Sequence, residues 1–147
     1  MIHMEYAVPV HASRTAAWRM LTERIASPQS SLPHVTSCEV TERDAGEVVR
    51  RVTFDDGVAV TERVLLVPEE EVVFRLIDHP KFEGEIRNLL FHSAGELWLA
   101  FYFRGEARPG VQLAPEEFEQ LRDGFARAVR FAARQIEAED RSALERT

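Results

Sequence analysis

Apolar residues recur at steps of three and four in one stretch near the end of the chain, between Ala114 and Glu137. This spacing puts them on one face of a helix. They are Phe118, Leu121, Phe125, Val129, Ala132 and Ile136. Pro115 suits the first turn of such a helix, and the arginines of its second half suit the negative end of its dipole. We therefore predict a long amphipathic helix from Ala114 to Glu137, with the charged residues after Glu137 frayed.

Most of the chain before this helix alternates between apolar and polar residues, which is typical of β-strands. The first strand is predicted at His3–Val10. A short helix capped by Ser13 then buries Ala17, Trp18, Leu21 and Ile25, and ends before Pro28 in a turn through Ser27–His34. Six more strands are predicted at Val35–Arg43, Glu47–Phe54, Val58–Val67, Glu71–Asp78, Gly84–Ser93 and Glu96–Arg104. Short turns between them, such as Asp44–Gly46, make neighbouring strands antiparallel, and a loop over Gly105–Leu113 leads into the long helix.

Turn length decides which side chains share a face of the sheet. A three-residue turn of Asp55, Asp56 and Gly57 would place Phe54 opposite Val58 and, further along the two strands, Arg50 opposite Glu62. Counting through the other turns in the same way gives one face that is almost entirely apolar and should therefore face the long helix. Its polar exceptions are Thr36, Arg50, Glu62, Asn88 and His92.

Two hypotheses account for an arginine and a glutamate facing each other on an apolar surface. Either Arg50 and Glu62 form a structural salt bridge, or they line a partly wet cavity and orient a polar group of a mostly apolar ligand. A turn one residue longer or shorter would instead put Arg51 opposite Glu62. Asn88 and His92 are open to the same pair of interpretations, as satisfied polar groups or as ligand contacts.

The opposite face of the sheet becomes apolar in its later strands. Leu89, Phe91, Trp98 and Tyr102 all point to that side. A contiguous exposed apolar patch usually marks an interface, so we predict a homodimer through these four residues. Cover by the first helix, or a reversed assignment of the two faces, is the alternative.

Composition narrows the classes of protein that fit. The chain has 147 residues, of which 45% are hydrophobic, so we expect one domain over residues 1–147. A net charge of -7 disfavours nucleic acid as a partner. Cys38 is the one cysteine, and the histidines have no metal-site spacing, so neither a metal nor another cofactor is expected. The sequence shows neither a signal peptide nor a membrane span, which favours a cytoplasmic protein.

The order of elements resembles the helix-grip superfamily of START and birch-pollen-allergen-like (Bet v 1-like, SRPBCC) proteins. The residues Thr15–Val64, Gly84–Leu90 and Glu96–Phe103 resemble its AtaL-like branch. Trp18–Leu21, written W..L, and Arg50–Phe54, written R.VTF, resemble the AtaL-like branch of it. The resemblance implies an α+β fold in which a curved, seven-stranded antiparallel sheet wraps around the long helix. It also implies a hydrophobic cavity for a lipid, sterol, polyketide or similar molecule. Arg51, Thr53, Glu62 and Asn88 match positions of the family pattern, without an assigned role.

Three functions are consistent with these observations. The first is binding of a hydrophobic small molecule in a cavity between the sheet and the long helix. The second is a polyketide cyclase or aromatase type of enzyme, which would work without a metal. It would use Glu62 as general base and Arg50 or His92 to hold an enolate oxygen, although a close arginine should lower the pKa of Glu62. The third is a co-chaperone-like interaction module that acts through the outer face. The expected cavity walls, apart from Asn88 and His92, are Trp18, Leu21, Val52, Val60, Phe74, Leu90, Leu99, Phe101, Phe118, Leu121 and Phe125.

Overall fold

The protein is described here by a computed structural model, which covers residues 1–28, 34–44 and 47–146. Its elements in chain order are β1 (Ile2–Pro9), α1 (Arg14–Ala26), β2 (Val35–Asp44), β3 (Glu47–Phe54), β4 (Ala59–Val67), β5 (Glu71–Asp78), β6 (Phe82–Ser93), β7 (Glu96–Ala107) and α2 (Pro115–Glu145). The predicted turn at Ala45 and Gly46, and the residues 29–33 of the predicted turn after α1, lie outside the described residues.

The strands form one curved antiparallel sheet in the order β1-β7-β6-β5-β4-β3-β2. Strands β2 to β7 form a meander. Strand β1 pairs with β7 and is the edge strand on that side of the sheet. The backbone of α2 approaches β1 and β7 most closely, and α1 lies against both α2 and the sheet. This arrangement confirms the α+β helix-grip fold, with seven strands, a short helix after β1 and a long C-terminal helix.

The register between β3 and β4 confirms the face assignment. Arg50 pairs with Glu62 and Val52 with Val60 across the two strands, and the backbone N–H of Phe54 donates to the carbonyl of Val58 at 2.9 Å. One face of the sheet is therefore apolar and faces the helices, as the alternation of residues requires.

Helix α1 begins at the predicted cap, where Ser13 Oγ accepts a hydrogen bond from the N–H of Ala16 at 3.1 Å. Ala17, Leu21 and Ile25 are buried as predicted. Trp18, which was predicted to be buried with them, is only half-buried and packs against the edge of the core. The short helix thus covers part of the sheet with small and aliphatic side chains.

Helix α2 is longer than predicted, since it continues to Glu145 instead of fraying after Glu137. Its buried residues are Val129, Ala132, Ala133 and Ile136. The carboxylate of Glu137 accepts a hydrogen bond from the backbone N–H of His11 at 2.8 Å, which ties this turn of the helix to the chain after β1. The residues beyond it are mostly alanine, glutamate and arginine, all strong helix formers, and this explains the extra turns.

Strands β6 and β7 also extend beyond their predicted ends. The predicted strand began at Gly84 and the predicted loop at Gly105, but these two glycines pair with each other inside the ladder. A Cβ built on Gly84 would lie 2.3 Å from the carbonyl oxygen of Arg104, so only glycine permits the close approach of the two strands. Glycines that seemed to end the strands therefore allow them to continue.

Candidate functional site

A cavity of about 510 Å³ lies between the helix-facing side of the sheet and helices α1 and α2. This volume is in the range of small-molecule binding sites in proteins. Most of the lining is aliphatic or aromatic. The lining residues are Leu21, Arg24, Pro28, Arg50, Val52, Phe54, Val60, Glu62, Phe74, Leu76, His79, Ile86, Asn88, Phe101, Gln120, Leu121, Gly124, Phe125 and Ala128.

The cavity exists because α2 stands at different heights above different strands. Its second half packs directly on the sheet through Ala132, Ala133 and Ile136, and its backbone lies close to β1 and β7. The first half carries Leu121, Gly124 and Phe125 over a space that is not filled and that is walled by residues of β3 to β7. The apolar period runs through both halves of α2, so the period by itself does not distinguish the filled half from the hollow one.

Arg50 and Glu62 form a buried ion pair in the wall of this cavity. Arg50 Nε donates to Glu62 Oε1 at 3.1 Å, and the two residues are 7% and 6% exposed. Arg50 Nη1 donates to the carbonyl of Ile25 at 2.8 Å, in the last turn of α1. The guanidinium also lies 4.7 Å from the ring centre of Phe74. The predicted facing of Arg50 and Glu62 is confirmed, and Arg50 in addition holds the end of α1.

The charge state of Glu62 is decided by two opposing effects. Burial raises the pKa of the Glu62 carboxyl, and the charge and hydrogen bond of Arg50 lower it, with burial the larger effect. The close arginine does lower this pKa, as expected, but its effect is outweighed, because the carboxyl is almost entirely removed from water. Among the described residues, no group donates a hydrogen bond to Glu62 Oε2.

A second guanidinium and a thiol lie near this pair. Arg24 lines the cavity, and burial followed by the positive charge of Arg50 lowers its pKa. Cys38 Sγ lies 3.7 Å from the carbonyl of Ile25, and burial raises the pKa of its thiol. A neutral thiol is a weak nucleophile, and Cys38 is outside the lining of the cavity.

Most of the predicted wall residues do face the cavity. They come from both helices and from five strands, and are Leu21, Val52, Val60, Phe74, Asn88, Phe101, Leu121 and Phe125, beside Arg50 and Glu62. Asn88 pairs with Phe101 across β6 and β7. Its side chain has no hydrogen-bond partner within the described part of the chain, which leaves the amide available to a ligand. Whether these residues contact a ligand stays a prediction.

Five of the predicted wall residues lie elsewhere. Leu90 and Leu99 pair with each other in the sheet, where they are 4% and 0% exposed under the second half of α2. Trp18 packs against the same core from α1. Phe118 lies in the first turn of α2, half-buried but outside the lining of the cavity. A shared sheet face or helix stripe does not place all of its residues in one cavity, because the cavity occupies only part of the interface.

His92 is the fifth, and it is exposed at the end of β6. Its Nδ1 lies 3.0 Å from Arg14 Nη2, so the arginine donates and the histidine accepts. Arg14 also donates to the carbonyl of Glu69 at 2.6 Å. These contacts connect the start of α1 to two hairpin ends, which is a structural role. His92 therefore does not lie where it could hold an enolate oxygen in the cavity.

His79 lines the cavity and was not among the predicted site residues. Its Nδ1 accepts hydrogen bonds from the backbone N–H groups of Lys81 and Phe82, at 3.0 and 3.1 Å. Burial, then the charges of Lys81 and Arg108, lower the pKa of His79, whereas Asp78 raises it. With Nδ1 an acceptor, the proton of the neutral ring is on Nε2. The sequence did not indicate that His79 lines the cavity, because this residue lies in a turn and belongs to no periodic pattern.

The surface end of the cavity is marked by Gln120, which lines it and is exposed. Nearby, Lys81 Nζ and Glu117 Oε2 form a salt bridge of 2.9 Å between the β5–β6 turn and the first turn of α2. Lys81 pulls the pKa of the Glu117 carboxyl below its usual value. A polar contact therefore joins the sheet to α2 at this end.

The described residues contain no cluster of histidine, cysteine, aspartate or glutamate that could hold a metal ion. Among the helices of the same residues, none is both long and apolar enough to cross a bilayer.

Comparison with known protein families decides where this chain belongs. The model of a family described as acetylaranotin biosynthesis cluster protein L, or AtaL, matches residues 7–142. The protein belongs to the AtaL family. The match includes strands β2 to β7, the end of β1 and nearly all of α2. It agrees with the resemblance seen in the sequence. None of the curated protein sequences compared with this AtaL-family chain matches it.

Solved structures share the fold at low sequence identity. The aromatase/cyclase Zhui from Streptomyces sp. R1128 has a TM-score of 0.70 and 20% identity, over 97% of this chain and 95% of that one. The di-domain ARO/CYC StfQ from the steffimycin biosynthetic pathway has a TM-score of 0.78 and 15% identity, over 98% of this chain. This AtaL-family chain spans 52% of StfQ, about half of its length. Ara h 8.0201 has a TM-score of 0.72 and 11% identity, over 93% of this chain and 98% of that one.

Proposed function

We propose that this AtaL-family protein binds a hydrophobic small molecule, of the lipid or polyketide kind, that carries an oxygen-containing polar group. The observation that supports this most is the composition of the cavity wall. A space of about 510 Å³ is lined mainly by apolar residues, yet a buried arginine and glutamate reach its surface. Burying charged side chains costs free energy. An apolar cavity whose wall nonetheless contains an arginine and a glutamate therefore suits an apolar ligand that has one polar group.

Three polar groups could orient such a ligand. Arg50 donates from Nε and Nη1 to protein atoms, which leaves Nη2 with no partner among the described residues. The amide of Asn88 is also without a partner there, and His79 has its proton on Nε2 because Nδ1 is an acceptor. A ketone, hydroxyl or carboxylate on the ligand would accept hydrogen bonds from these groups.

The experiment is native mass spectrometry of freshly purified protein, followed by extraction and identification of any bound compound. We expect one apolar molecule per chain, and we expect its occupancy to fall in an Arg50→Lys variant, which keeps the charge but loses the fork of donors. Arg63→Lys, on the outer face, is the matched control. Protein that carries nothing, and that also fails to bind apolar acids added at micromolar concentration, would overturn the proposal.

An enzymatic function is the second candidate, and the buried carboxyl favours it. Glu62 has a pKa raised by burial and lies beside a guanidinium in the cavity, which suits a general base. Glu62 would take a proton from a carbon next to a ketone, and Arg50 would hold the enolate oxygen. The proton would then pass from Glu62 to a departing hydroxide, so that water leaves. The fold shared with aromatase/cyclases supports this chemistry without establishing it.

Glu62→Gln separates the two candidates. If the protein is an enzyme, this variant keeps its affinity for the extracted compound and loses turnover, because glutamine cannot accept the proton. If it only binds, wild type shows no turnover of that compound either. The third hypothesis, an interaction module with a closed pocket, has less support because the cavity is present.

A homodimer through the outer face of the sheet is part of the same proposal. Phe91 is 37% exposed and stacks on Trp98 with 6.4 Å between ring centres, and Leu89 and Tyr102 are half-buried beside them. A flat aromatic pair on a sheet is the kind of surface that a second copy covers. We further propose a single domain over residues 1–147 and a cytoplasmic location.

A further inference from the structure

Gly124 is a glycine in the middle of α2, where glycine is a poor choice for helix stability. Two reasons usually account for a glycine, and neither applies here. A Cβ built on Gly124 would meet nothing within 4 Å, whereas one on Gly84 would collide with the carbonyl of Arg104. The backbone of Gly124 is helical, so no left-handed conformation requires glycine either.

The missing side chain of Gly124 faces the cavity. Gln120, Gly124 and Ala128 are spaced by four residues and so lie on one face of α2, and all three line the cavity. Leu121 and Phe125 flank this row. The glycine and the alanine therefore expose a strip of helix backbone to the cavity, and a larger residue at position 124 would occupy space that is now empty.

The opposite wall of the cavity contains flat side chains. Phe54, Phe74 and Phe101 from the sheet line it, and the guanidinium of Arg50 lies over the ring of Phe74. A bare strip of helix opposite aromatic rings leaves a slot. A flexible chain bends around one extra methyl group, but a rigid fused ring cannot, so only a rigid ligand needs glycine at this position.

We propose that Gly124 determines ligand shape, by admitting a rigid fused-ring molecule that lies against the backbone of α2. This inference rests on the proposed binding function and adds the shape of the ligand to it. The polar group of the ligand faces Arg50 and Asn88, and the ring system occupies the slot at Gly124. Glycine at position 124 lowers the stability of the helix relative to alanine, but it makes the cavity wider.

The test compares two fluorescent or displaceable probes, anthracene-2-carboxylate as the rigid ring and dodecanoate as the flexible chain. Wild type is measured beside Gly124→Ala, Gly124→Leu and the control Arg127→Leu, which adds an apolar residue to an exposed position of the same helix. We expect Gly124→Ala to bind the ring probe roughly tenfold more weakly, and Gly124→Leu to lose it. Both variants should bind dodecanoate within about threefold of wild type, a difference well under one tenfold step.

Thermal unfolding supplies a readout that a structural role would not reproduce. Gly124→Ala should melt a few degrees higher than wild type, because alanine favours the helix and its Cβ meets nothing. Higher stability together with weaker ring binding is the signature of a shape determinant.

Any other result of the probe measurements overturns either this inference alone or the proposed binding function as well. If wild type binds neither probe, this inference fails, and the proposed binding function fails with it if the purified protein also carries no bound molecule. If wild type binds the ring probe and both Gly124 variants bind it equally well, the inference fails and the binding function stands. The inference also fails if wild type prefers dodecanoate, or if the Gly124 variants lose both probes to the same extent.

Discussion

Replacing Arg50 by methionine is the most informative perturbation of this structure. Methionine keeps the apolar stem of the side chain, but it removes the guanidinium and leaves Glu62 without its partner. Arg50 and Glu62 are 7% and 6% exposed, so the remaining carboxyl cannot be solvated by bulk water. Arg50→Met also removes the donor that holds the Ile25 carbonyl at 2.8 Å, in the last turn of α1.

The expected loss of stability is large. Removing one partner of a buried ion pair costs about 3–5 kcal/mol, since it leaves an uncompensated buried charge. The free energy of unfolding of a domain is typically about 5–15 kcal/mol, so the variant would keep only part of its stability at pH 7. Replacing both partners, as Arg50→Met with Glu62→Leu, removes the buried charge, and stability should return to within about 1 kcal/mol of wild type or exceed it.

The cost should also depend on pH. Burial already raises the pKa of the Glu62 carboxyl, and without Arg50 it should rise further. A group with a raised native pKa contributes stability that is present below the unfolded pKa and is lost as pH rises through the native pKa. The difference between Arg50→Met and wild type should therefore shrink as the pH is lowered from 7, because protonation removes the buried charge of Glu62.

Urea unfolding, followed by circular dichroism at 25 °C, measures these differences. Arg63→Met is the matched control, because Arg63 pairs with Glu47 at 2.9 Å across the same strands, on the exposed face. The side chains of this control pair are 48% and 34% exposed, and its loss should cost less than about 1 kcal/mol. Equal costs for Arg50→Met and Arg63→Met, or a double variant as unstable as Arg50→Met, would refute the reasoning.

Three further predictions concern other parts of the molecule. Glu62→Gln should gain stability relative to wild type as pH rises above the ordinary range of a carboxyl pKa, because wild type loses stability until the raised pKa of Glu62 is passed. Equal pH profiles of the two proteins in urea unfolding would contradict this. Gly84→Ala should lower the melting temperature far more than Gly110→Ala. Both glycines have a positive φ, but only the Cβ added at position 84 would collide, at 2.3 Å from the carbonyl oxygen of Arg104. Calorimetry of the two variants compares their melting temperatures, and equal values would contradict the prediction. Trp98→Glu should convert a dimer to a monomer in sedimentation velocity, and a variant that stays dimeric would exclude the outer face as the interface.

The sequence by itself determined the elements and the faces of the sheet. The stripe of apolar residues in α2, and the alternation in the strands, depend on chain periodicity and local sterics, which are properties of neighbouring residues. The facing of Arg50 and Glu62 followed from the length of the turn at Asp55–Gly57, because a turn sets the register of its two strands. Ten of the residues named from these patterns line the cavity.

The tertiary structure alone decided where the hollow part of the interface lies. Leu90 and Leu99 share a sheet face with Val52 and Val60, yet α2 covers the first two and stands away from the second two. His79, Arg24 and other residues of the lining follow no period and are brought in by a turn and by a helix end. The raised pKa of Glu62 likewise depends on how much water the assembled walls exclude. Such properties arise from the relative position of distant segments, and local patterning contains no information on them.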